Sequence, residues 1–197
     1  MEENCKEAQK ANATIVFADE SGIQMSPNMK RTWAPRGKTP IIRHATRSYR
    51  KVSAMGAIAV TPKGRRVRSF FRLLENANFN TDYCIAFIEQ LKQNIRGKIV
   101  LIWDRFLPHR CKKMQKYLGK QHRVKVHYFP PYAPELNPVE YMWAHLKQNH
   151  LANRSCFDLD ELYRKSKTSM CAIRGDSDLM KAFIKHSPLA TEMYHYL

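Results

Sequence analysis

Three acidic residues lie at positions from which their side chains can act on one phosphate group. Asp19 directly follows the apolar run 13–18, and Asp104 follows a second apolar run at 98–103. Glu140 lies in the first turn of a predicted helix. Three converging carboxylates repel one another unless a cation lies between them, and their hard oxygen atoms favour Mg²⁺ or Mn²⁺. Because two such ions can activate water and stabilise the leaving oxygen of a phosphodiester, the pattern predicts metal-dependent phosphodiester chemistry.

Each of these carboxylates also has a simpler interpretation. Asp19 can begin a turn before the Ser-Gly pair that follows, and Asp104 can accept hydrogen bonds from the loop after it. Glu140 fits the third position of a capping box, with Asn137 as the cap and Pro138 at the first helical position. Taken alone, Glu140 favours capping. Taken together, in the order strand, strand, helix, the three residues favour a metal site.

Two neighbouring glutamates are alternatives to the members of this set. Glu20 adjoins Asp19, but side chains alternate along a strand, so only one of the two points toward the site. Glu135 competes with Glu140, yet it lies in the turn-rich stretch before the helix. We therefore expect Asp19 and Glu140 to complete the site.

The predicted elements that must position these residues follow a definite order. The chain opens with a three-stranded β meander at 13–18, 51–60 and 66–73, with a turn at 61–64. Alternating helices and strands follow, namely helix 81–95 with Asn80 or Thr81 as cap, strand 98–103, helix 110–119, strand 124–129, and helices 138–149, 158–172 and 177–186. This order predicts an α/β protein, with a mixed central sheet of about five strands flanked by helices, as in an RNase H-like fold.

The same pattern suggests how the chain is divided. We expect an N-terminal arm or linker remnant at 1–12 and a core at 13–150. The C-terminal helices of 151–197 should pack on the same domain. A length of 197 residues allows one substantial core and is short for two ordinary domains.

Composition excludes several classes of protein. Hydrophobic residues make up 44% of the chain and aromatic residues 11%, which excludes a wholly disordered protein. No apolar stretch reaches the roughly 18 residues needed to cross a bilayer, so we expect no membrane partner. The polar N-terminus lacks a hydrophobic signal core, which favours an intracellular location. The five cysteines form no metal-binding pair, so we expect free thiols and no structural zinc.

The charge balance indicates a polyanionic partner. The chain has 34 Lys and Arg against 17 Asp and Glu, a net charge of +17, and nucleic acid is the commonest partner of such an excess. A merely basic protein is the alternative. We expect Trp33 to pack inside a cluster of candidate DNA-binding residues, which comprises Lys30, Arg31, Arg36, Lys38, Arg43, Arg47, Arg50 and Lys51.

Three segments resemble the signature blocks of DDE transposases of the mariner superfamily, in its bacterial insertion-sequence branch. They are VFADESG, IVLIWDRFLPHR and YFPPYAPELNPVEYMWAHLKQ, of which the third is the most specific. The stretch KRTWAPRGKTP is similar to that branch's loop between the first strands, and AFIKHSPL is similar to its usual ending. The resemblance extends from about residue 13 to 189.

The resemblance implies roles for individual residues. Asp19, Asp104 and Glu140 match the catalytic triad, and the interval between the last two is close to the family's usual spacing. His109 matches a histidine that follows the second aspartate in this branch, with fold stabilisation as the alternative role. Arg105 departs from the family, because many relatives have Asn or a small residue there. Its cation either lowers metal affinity or contacts the DNA backbone.

The resemblance also implies an activity. The chain would be a transposase catalytic domain that cleaves DNA at transposon ends and joins the freed 3′-hydroxyl to target DNA, using two Mg²⁺ ions, with Mn²⁺ as a substitute. Its partner would be double-stranded DNA, and it would act as a homodimer. In a bacterial host it would be located in the cytoplasm or nucleoid. Members of this type also have an N-terminal helix-turn-helix that recognises the transposon end.

Residues 1–12 cannot supply that end-recognition region, so we expect it to be separate or missing. A catalytic fragment, the second frame of a frameshifted element, and a decayed or domesticated copy all fit. Two other functions stay open. One is a catalytically silent, transposase-derived DNA-binding protein, which Arg105 favours and the intact carboxylates disfavour. The other is an RNase H-like nuclease of repair or RNA processing, which the third block disfavours.

Overall fold

The computed structural model describes residues 7, 8, 10–26, 28–42, 50–62, 64 and 66–189. Five strands form its sheet, namely β1 (Thr14–Gln24), β2 (Lys51–Val60), β3 (Val67–Glu75), β4 (Ile99–Trp103) and β5 (Val124–Tyr128). The α-helices are α1 (Thr81–Asn94), α2 (Leu107–Arg110), α3 (Lys112–Leu118), α4 (Pro138–His145), α5 (Leu159–Gly175) and α6 (Ser177–His186). A 3₁₀ turn (Pro134–Leu136) precedes α4, and a π-helical turn (Leu146–His150) follows it.

The strand order across the sheet is β3-β2-β1-β4-β5. The pairs β1–β2 and β2–β3 are antiparallel, as expected for a meander, whereas β1–β4 and β4–β5 are parallel. Strand β4 is buried throughout, because it lies between two strands and beneath helices on both faces. The predicted mixed sheet of about five strands is therefore confirmed.

Alternating side chains divide the core between the two faces of the sheet. Ile15 and Phe17 of β1 point to the face covered by α4, α5 and α6. Val16 and Ala18 point to the opposite face, which α1 and α3 cover. This alternation follows from the two-residue period of a strand, and it places consecutive β1 residues in different environments.

Local signals explain most helix boundaries. The Asn80 side chain accepts a 3.1 Å hydrogen bond from the Tyr83 N–H, which confirms a cap at the start of α1. Asp158 and Asp176 cap α5 and α6 in the same way. The predicted helix 138–149 is shorter as an α-helix, because the chain widens into the π-helical turn after His145.

Three expectations for the first part of the chain are wrong. Strand β1 does not end before Asp19 but continues to Gln24, since β2 pairs with it along its whole second half. The prolines and basic residues of 23–50 predict a loop with short strands, but no strand forms among residues 28–42, where an isolated bridge joins Asn28 to Ala152. Trp33, which we expected to be buried, is fully exposed there. Residue 63 of the predicted turn at 61–64 lies outside the described residues.

Both ends of the described chain pack on the same core. Ala8 is fully buried among the residues of the α4 face, and Leu162, Met170 and Phe183 of the last two helices join the same cluster. Among the described residues, no helix is long and apolar enough to span a membrane.

Candidate active site

The register between β1 and β4 brings Asp19 and Asp104 level with each other. Phe17 is the last β1 residue paired with β4, and its partner is Ile102. Each aspartate lies two residues beyond that pair, so both leave the sheet on the side that α4 covers. The two parallel strands thus place their carboxylates together, although only β4 ends there.

Glu140 reaches the same place from the first turn of α4. Asn137 caps this helix, since its side chain accepts from the Val139 N–H over 3.2 Å. The N–H of Asn137 itself donates to the Pro134 carbonyl, so the reciprocal bond that would complete a capping box with Glu140 is not formed. The Glu140 carboxylate is consequently available to the site.

The three carboxylates line a common cleft of about 180 Å³. Its remaining walls come from the end of β5 and the turn-rich stretch before α4, namely Phe129, Pro130, Tyr132, Ala133, Pro134 and Asn137. Tyr132 is fully exposed at the rim, and its φ of 57° lies in the left-handed region. The cleft is therefore an acidic depression in a basic protein.

The surroundings of Asp19 strongly disfavour its charged form. Burial raises the pKa of Asp19 to about 8, and the negative charges of Glu140, Glu20 and Asp104 act in the same direction. A hydrogen bond from Trp143 opposes this rise: the indole Nε1 donates to Asp19 Oδ2 over 2.9 Å. Such crowding of negative charge is what a divalent cation would relieve.

Gly56 allows Trp143 to reach Asp19. Gly56 is the β2 partner of Asp19 in the antiparallel ladder. A Cβ at this position would lie 2.7 Å from Met142 Cε and from the Trp143 ring, well inside van der Waals contact. The absence of a side chain at Gly56 lets α4 pack directly on the sheet beneath the site.

Asp104 is held on its other side by His109. His109 Nδ1 lies 2.8 Å from Asp104 Oδ1, which also accepts a 3.0 Å hydrogen bond from the Phe106 N–H. Burial acts to raise the pKa of Asp104, but these hydrogen bonds outweigh it and lower the pKa. Asp104 is thus ionised, and it does accept hydrogen bonds from its loop, as the simpler interpretation proposed.

The fully buried His109 has a second carboxylate partner. Its Nε2 lies 2.9 Å from Glu20 Oε1, on the opposite face of β1 from Asp19. Burial lowers the pKa of His109, but its bonds to Asp104, Cys84 and Glu20 outweigh this effect and raise the pKa to about 12. The structure therefore separates Asp19 from Glu20: one faces the cleft and the other faces His109.

The DDE superfamily endonuclease family matches residues 14–163, an interval that includes the three carboxylates of the cleft. The chain belongs to this family. It is similar to the insertion element IS630 uncharacterized 39 kDa protein of Shigella sonnei, with 26% identity over 166 residues. The match covers 81% of this chain and 45% of that protein, so the chain spans less than half the length of its relative.

Solved structures agree with this family assignment at the level of the fold. The Mos1 mariner paired end complex with Mg has a TM-score of 0.66 at 17% identity, covering 100% of this chain and 61% of that one. The Mos1 catalytic domain has a TM-score of 0.56 at 15% identity, covering 97% of this chain and 91% of that one. These similarities confirm the predicted RNase H-like fold of the chain.

Arg105 does not line the carboxylate cleft. Its Nε donates a 3.4 Å hydrogen bond to the Phe129 carbonyl, at the end of β5. The guanidinium therefore joins the ends of two strands instead of lying between the carboxylates. Glu135 does not line the cleft either, although its neighbour Pro134 on the same 3₁₀ turn does.

The predicted DNA-binding residues are distributed over a long exposed segment. Those that the structure describes on 28–42 are all exposed, namely Lys30, Arg31, Arg36 and Lys38. Two others lie outside the described residues, namely Arg43 and Arg47. The last two lie at the start of β2, namely the exposed Arg50 and the half-buried Lys51. The segment is tied to the chain after α4, where the Asn153 side chain bonds both the N–H and the carbonyl of Lys30.

Sequence reasoning missed three contributors to the site. Trp143 lies within the third signature block, but nothing in the sequence marks it as the donor that holds Asp19. Gly56 carries no sequence signal beyond being a glycine in an apolar strand, which can indicate a close approach by another element. Glu20 follows Asp19 on the same strand, so alternation places its side chain on the other face, where it contacts His109.

Proposed function

We propose that this DDE endonuclease cleaves DNA at transposon ends and transfers the freed 3′-hydroxyl to target DNA. The observation that carries the proposal is the convergence of Asp19, Asp104 and Glu140 on one cleft in a chain of this family. Similar folds in a mariner paired end complex and in a strand transfer complex support DNA as the substrate.

The residues of the cleft fit a divalent metal. All three charged groups offer carboxylate oxygens, which Mg²⁺ and Mn²⁺ prefer over softer ligands. One oxygen of each aspartate is already fixed, Asp19 Oδ2 by Trp143 and Asp104 Oδ1 by His109. The other oxygen of each aspartate is left for a cation. We propose two Mg²⁺ ions, replaceable by Mn²⁺, as the cofactors, with Asp19, Asp104 and Glu140 as their ligands and as the catalytic residues.

Metal ions at this site would lower the pKa of a bound water and stabilise the leaving oxygen of a phosphodiester. The protein's own contribution is to hold the carboxylates and to shape an open cleft for the scissile phosphate. In the first reaction, water attacks phosphorus and the bond to the 3′-oxygen breaks, which frees a 3′-hydroxyl. In the second, that hydroxyl attacks a target phosphate, and no covalent protein intermediate is needed.

The exposed basic residues support a duplex DNA partner. Lys30, Arg31, Arg36 and Lys38 are exposed on a segment whose start is bonded to Asn153, after α4. Side chains of this kind neutralise phosphates without reading bases. We propose that two copies of the chain act on paired ends, inside the cell and on the nucleoid if the host is bacterial. An end-recognition domain would be supplied separately or by a longer chain.

The test is nicking of supercoiled plasmid at low salt with Mg²⁺ or Mn²⁺, comparing the wild type with Asp104→Ala. Asp160→Ala is the matched control, because Asp160 is an exposed residue of α5 paired only with Arg164 among the described residues. We expect divalent-dependent cleavage by the wild type and the control and none by Asp104→Ala. DNA binding, measured by gel shift, should be retained by all three.

Two results would contradict the proposal. DNA binding without cleavage by the wild type, even when it is joined to an end-recognition domain, would favour the catalytically silent DNA-binding protein. Cleavage of RNA–DNA hybrids with no strand transfer into duplex DNA would favour a nuclease of repair or RNA processing.

A further inference from the structure

His109 links two carboxylates from neighbouring strands, Glu20 of β1 and Asp104 directly after β4. Its Nδ1 is 2.8 Å from Asp104 Oδ1, and its Nε2 is 2.9 Å from Glu20 Oε1. A carboxylate only accepts hydrogen bonds, so a ring between two carboxylates donates from both nitrogens. The resulting chain Glu20–His109–Asp104 connects the α1 side of the sheet to the carboxylate cleft.

The imidazole ring has little freedom to rotate. It stacks on Trp103 with 3.7 Å between ring centroids and an 8° angle between the planes. The Phe106 ring meets it edge-on at 5.6 Å, and the Tyr128 hydroxyl donates to the His109 carbonyl over 3.0 Å. With the ring fixed, the direction of Nδ1, and with it the orientation of the Asp104 carboxylate, is also fixed.

We propose that Glu20 and His109 are positioning residues that orient Asp104 for metal binding. The inference rests on the proposed function, because it assigns Asp104 as a ligand. Glu20 holds His109 by Nε2, and His109 holds Oδ1 of Asp104 by Nδ1. Oδ2 of Asp104 is then presented to the cleft that Asp19 and Glu140 share. Loss of a group that orients a ligand in this way typically weakens metal affinity by about 10- to 100-fold.

A matched pair of variants separates orientation from folding. His109→Asn keeps an amide nitrogen near the Nδ1 position, so it can still donate to Asp104. His109→Gln keeps one near the Nε2 position, so it can still donate to Glu20 but not to Asp104. Both variants replace the same buried ring by a polar amide. We therefore expect them to have similar melting temperatures.

The measurement is Mn²⁺ affinity by calorimetry on the full chain, with plasmid nicking as a second readout. We expect His109→Gln to weaken Mn²⁺ binding by about 10- to 100-fold, and His109→Asn to weaken it less. Glu20→Ala should weaken binding more than Glu20→Gln, whose amide oxygen can still accept from Nε2. Glu20 is partly exposed, so its variants keep the test valid even if His109 variants fail to fold.

The outcomes distinguish the inference from the function on which it rests. If wild type binds Mn²⁺ through Asp104, but His109→Gln and Glu20→Ala bind it equally well, the positioning role is wrong. If the wild type binds no Mn²⁺, or if Asp104→Ala does not weaken binding, the proposed function fails and the inference fails with it.

A third result would move the metal to the other face of the sheet. Glu20, Cys84 and His109 have potential ligand atoms within 4.8 Å of one another. A cation held there would make Cys84→Ser lose as much Mn²⁺ affinity as His109→Gln. That result would overturn the positioning role, which requires Cys84→Ser to bind Mn²⁺ as the wild type does.

Discussion

The indole N–H of Trp143 donates to Oδ2 of Asp19 over 2.9 Å, and this bond joins helix α4 to the middle of strand β1. Trp143 is almost completely buried, so the same side chain is both a core residue and a partner of the cleft. Because Glu140 lies on the same helix, the packing of α4 on the sheet also sets the position of the third carboxylate. Core packing and site geometry are therefore coupled.

Trp143→Phe should harm the site more than the fold. The change removes the donor to Asp19 while keeping an aromatic ring, so cleavage and Mn²⁺ affinity should fall by about 10- to 100-fold. Trp103→Phe is the control for stability alone, because the equally buried indole N–H of Trp103 has no partner among the described residues, whereas its ring stacks on His109. Chemical denaturation should show Trp143→Phe to be less stable than this control by about 1 kcal/mol. Equal stability of the two variants, together with wild-type Mn²⁺ affinity in Trp143→Phe, would contradict the role of the bond.

Gly56→Ala should displace α4. The new methyl group would lie 2.7 Å from Met142 and Trp143, and overpacking of this kind typically costs about 1–3 kcal/mol. Gly22→Ala is the control, since its Cβ would meet only Lys51 Cδ at an ordinary 3.8 Å. We expect denaturant unfolding to show a loss for Gly56→Ala alone, together with reduced plasmid nicking. A Gly56→Ala protein of unchanged stability would mean that the helix has room to move.

The metal-free protein should lose stability as pH rises toward 8. The pKa of Asp19 is raised to about 8 in the folded protein, well above the usual pKa of an aspartate, which the unfolded chain retains. At any pH between the unfolded and the folded pKa, the folded state therefore binds more protons than the unfolded state. Stability must then fall with rising pH, with a slope approaching about 1.4 kcal/mol per pH unit from this group. His109, whose pKa is also raised, adds a fall of the same sign above its ordinary pKa.

Asp19→Asn separates the two contributions, because it removes only the first. Melting temperatures in EDTA at pH 5 to 8 should decline more steeply for the wild type than for this variant. Mg²⁺ competes with the proton on Asp19, so it should raise the melting temperature more at pH 8 than at pH 6. Parallel pH profiles of wild type and Asp19→Asn would show that Asp19 does not titrate in this range.

Glu140→Gln should abolish most of the cleavage activity, whereas Glu135→Gln, five residues away in the chain, should not. Glu140 lines the cleft and Glu135 does not. We expect Glu140→Gln to reduce cleavage at least about 100-fold, the scale seen when one preorganised electrostatic group is lost from an active site. Removing one of several repelling charges should also leave the metal-free protein at least as stable as the wild type. Glu135→Gln should cleave normally, and equal losses in both would reject Glu140 as the ligand.

Tyr132→Gly should stabilise the fold and weaken the action on DNA. Tyr132 has a φ of 57°, a conformation that costs a non-glycine residue about 1–2 kcal/mol, and its ring is fully exposed at the rim of the cleft. An exposed aromatic ring at that position can stack on a base next to the scissile phosphate. Tyr132→Phe keeps the ring and serves as the control.

The stacking is measured with 2-aminopurine placed beside the cleavage site. Its fluorescence should be quenched by the wild type and by Tyr132→Phe, and less by Tyr132→Gly. Unchanged quenching in Tyr132→Gly would mean that the ring does not touch the DNA.

Much of the fold could be predicted because its signals are local. Period-two runs, apolar segments and capping residues such as Asn80 specify where strands and helices lie. The sequence also indicated the carboxylates of the candidate site, since two of them follow apolar runs and the third lies in the first turn of a helix. These features depend on residues close together in the chain.

Other features required contacts between distant segments. Strand β1 continues through Asp19 because β2 pairs with it there, and the residues around Asp19 contain no sequence signal for that pairing. Trp33 is exposed although tryptophan is usually buried, since none of the described core reaches the segment on which it lies.

The capping box at Glu140 illustrates the difference most directly. The sequence predicts that the Glu140 carboxylate accepts a hydrogen bond from the Asn137 N–H at the helix end. In the structure, that N–H donates to the Pro134 carbonyl instead. Contacts between distant residues also decide the hydrogen bonds of His109 to Glu20 and Asp104, and the hydrogen bond from Trp143 to Asp19 across Gly56. The sequence alone determined which residue types were available for chemistry and which elements carry them. Only the tertiary structure decided which oxygen each donor holds, because hydrogen bonding depends on the register and packing of elements that meet in space.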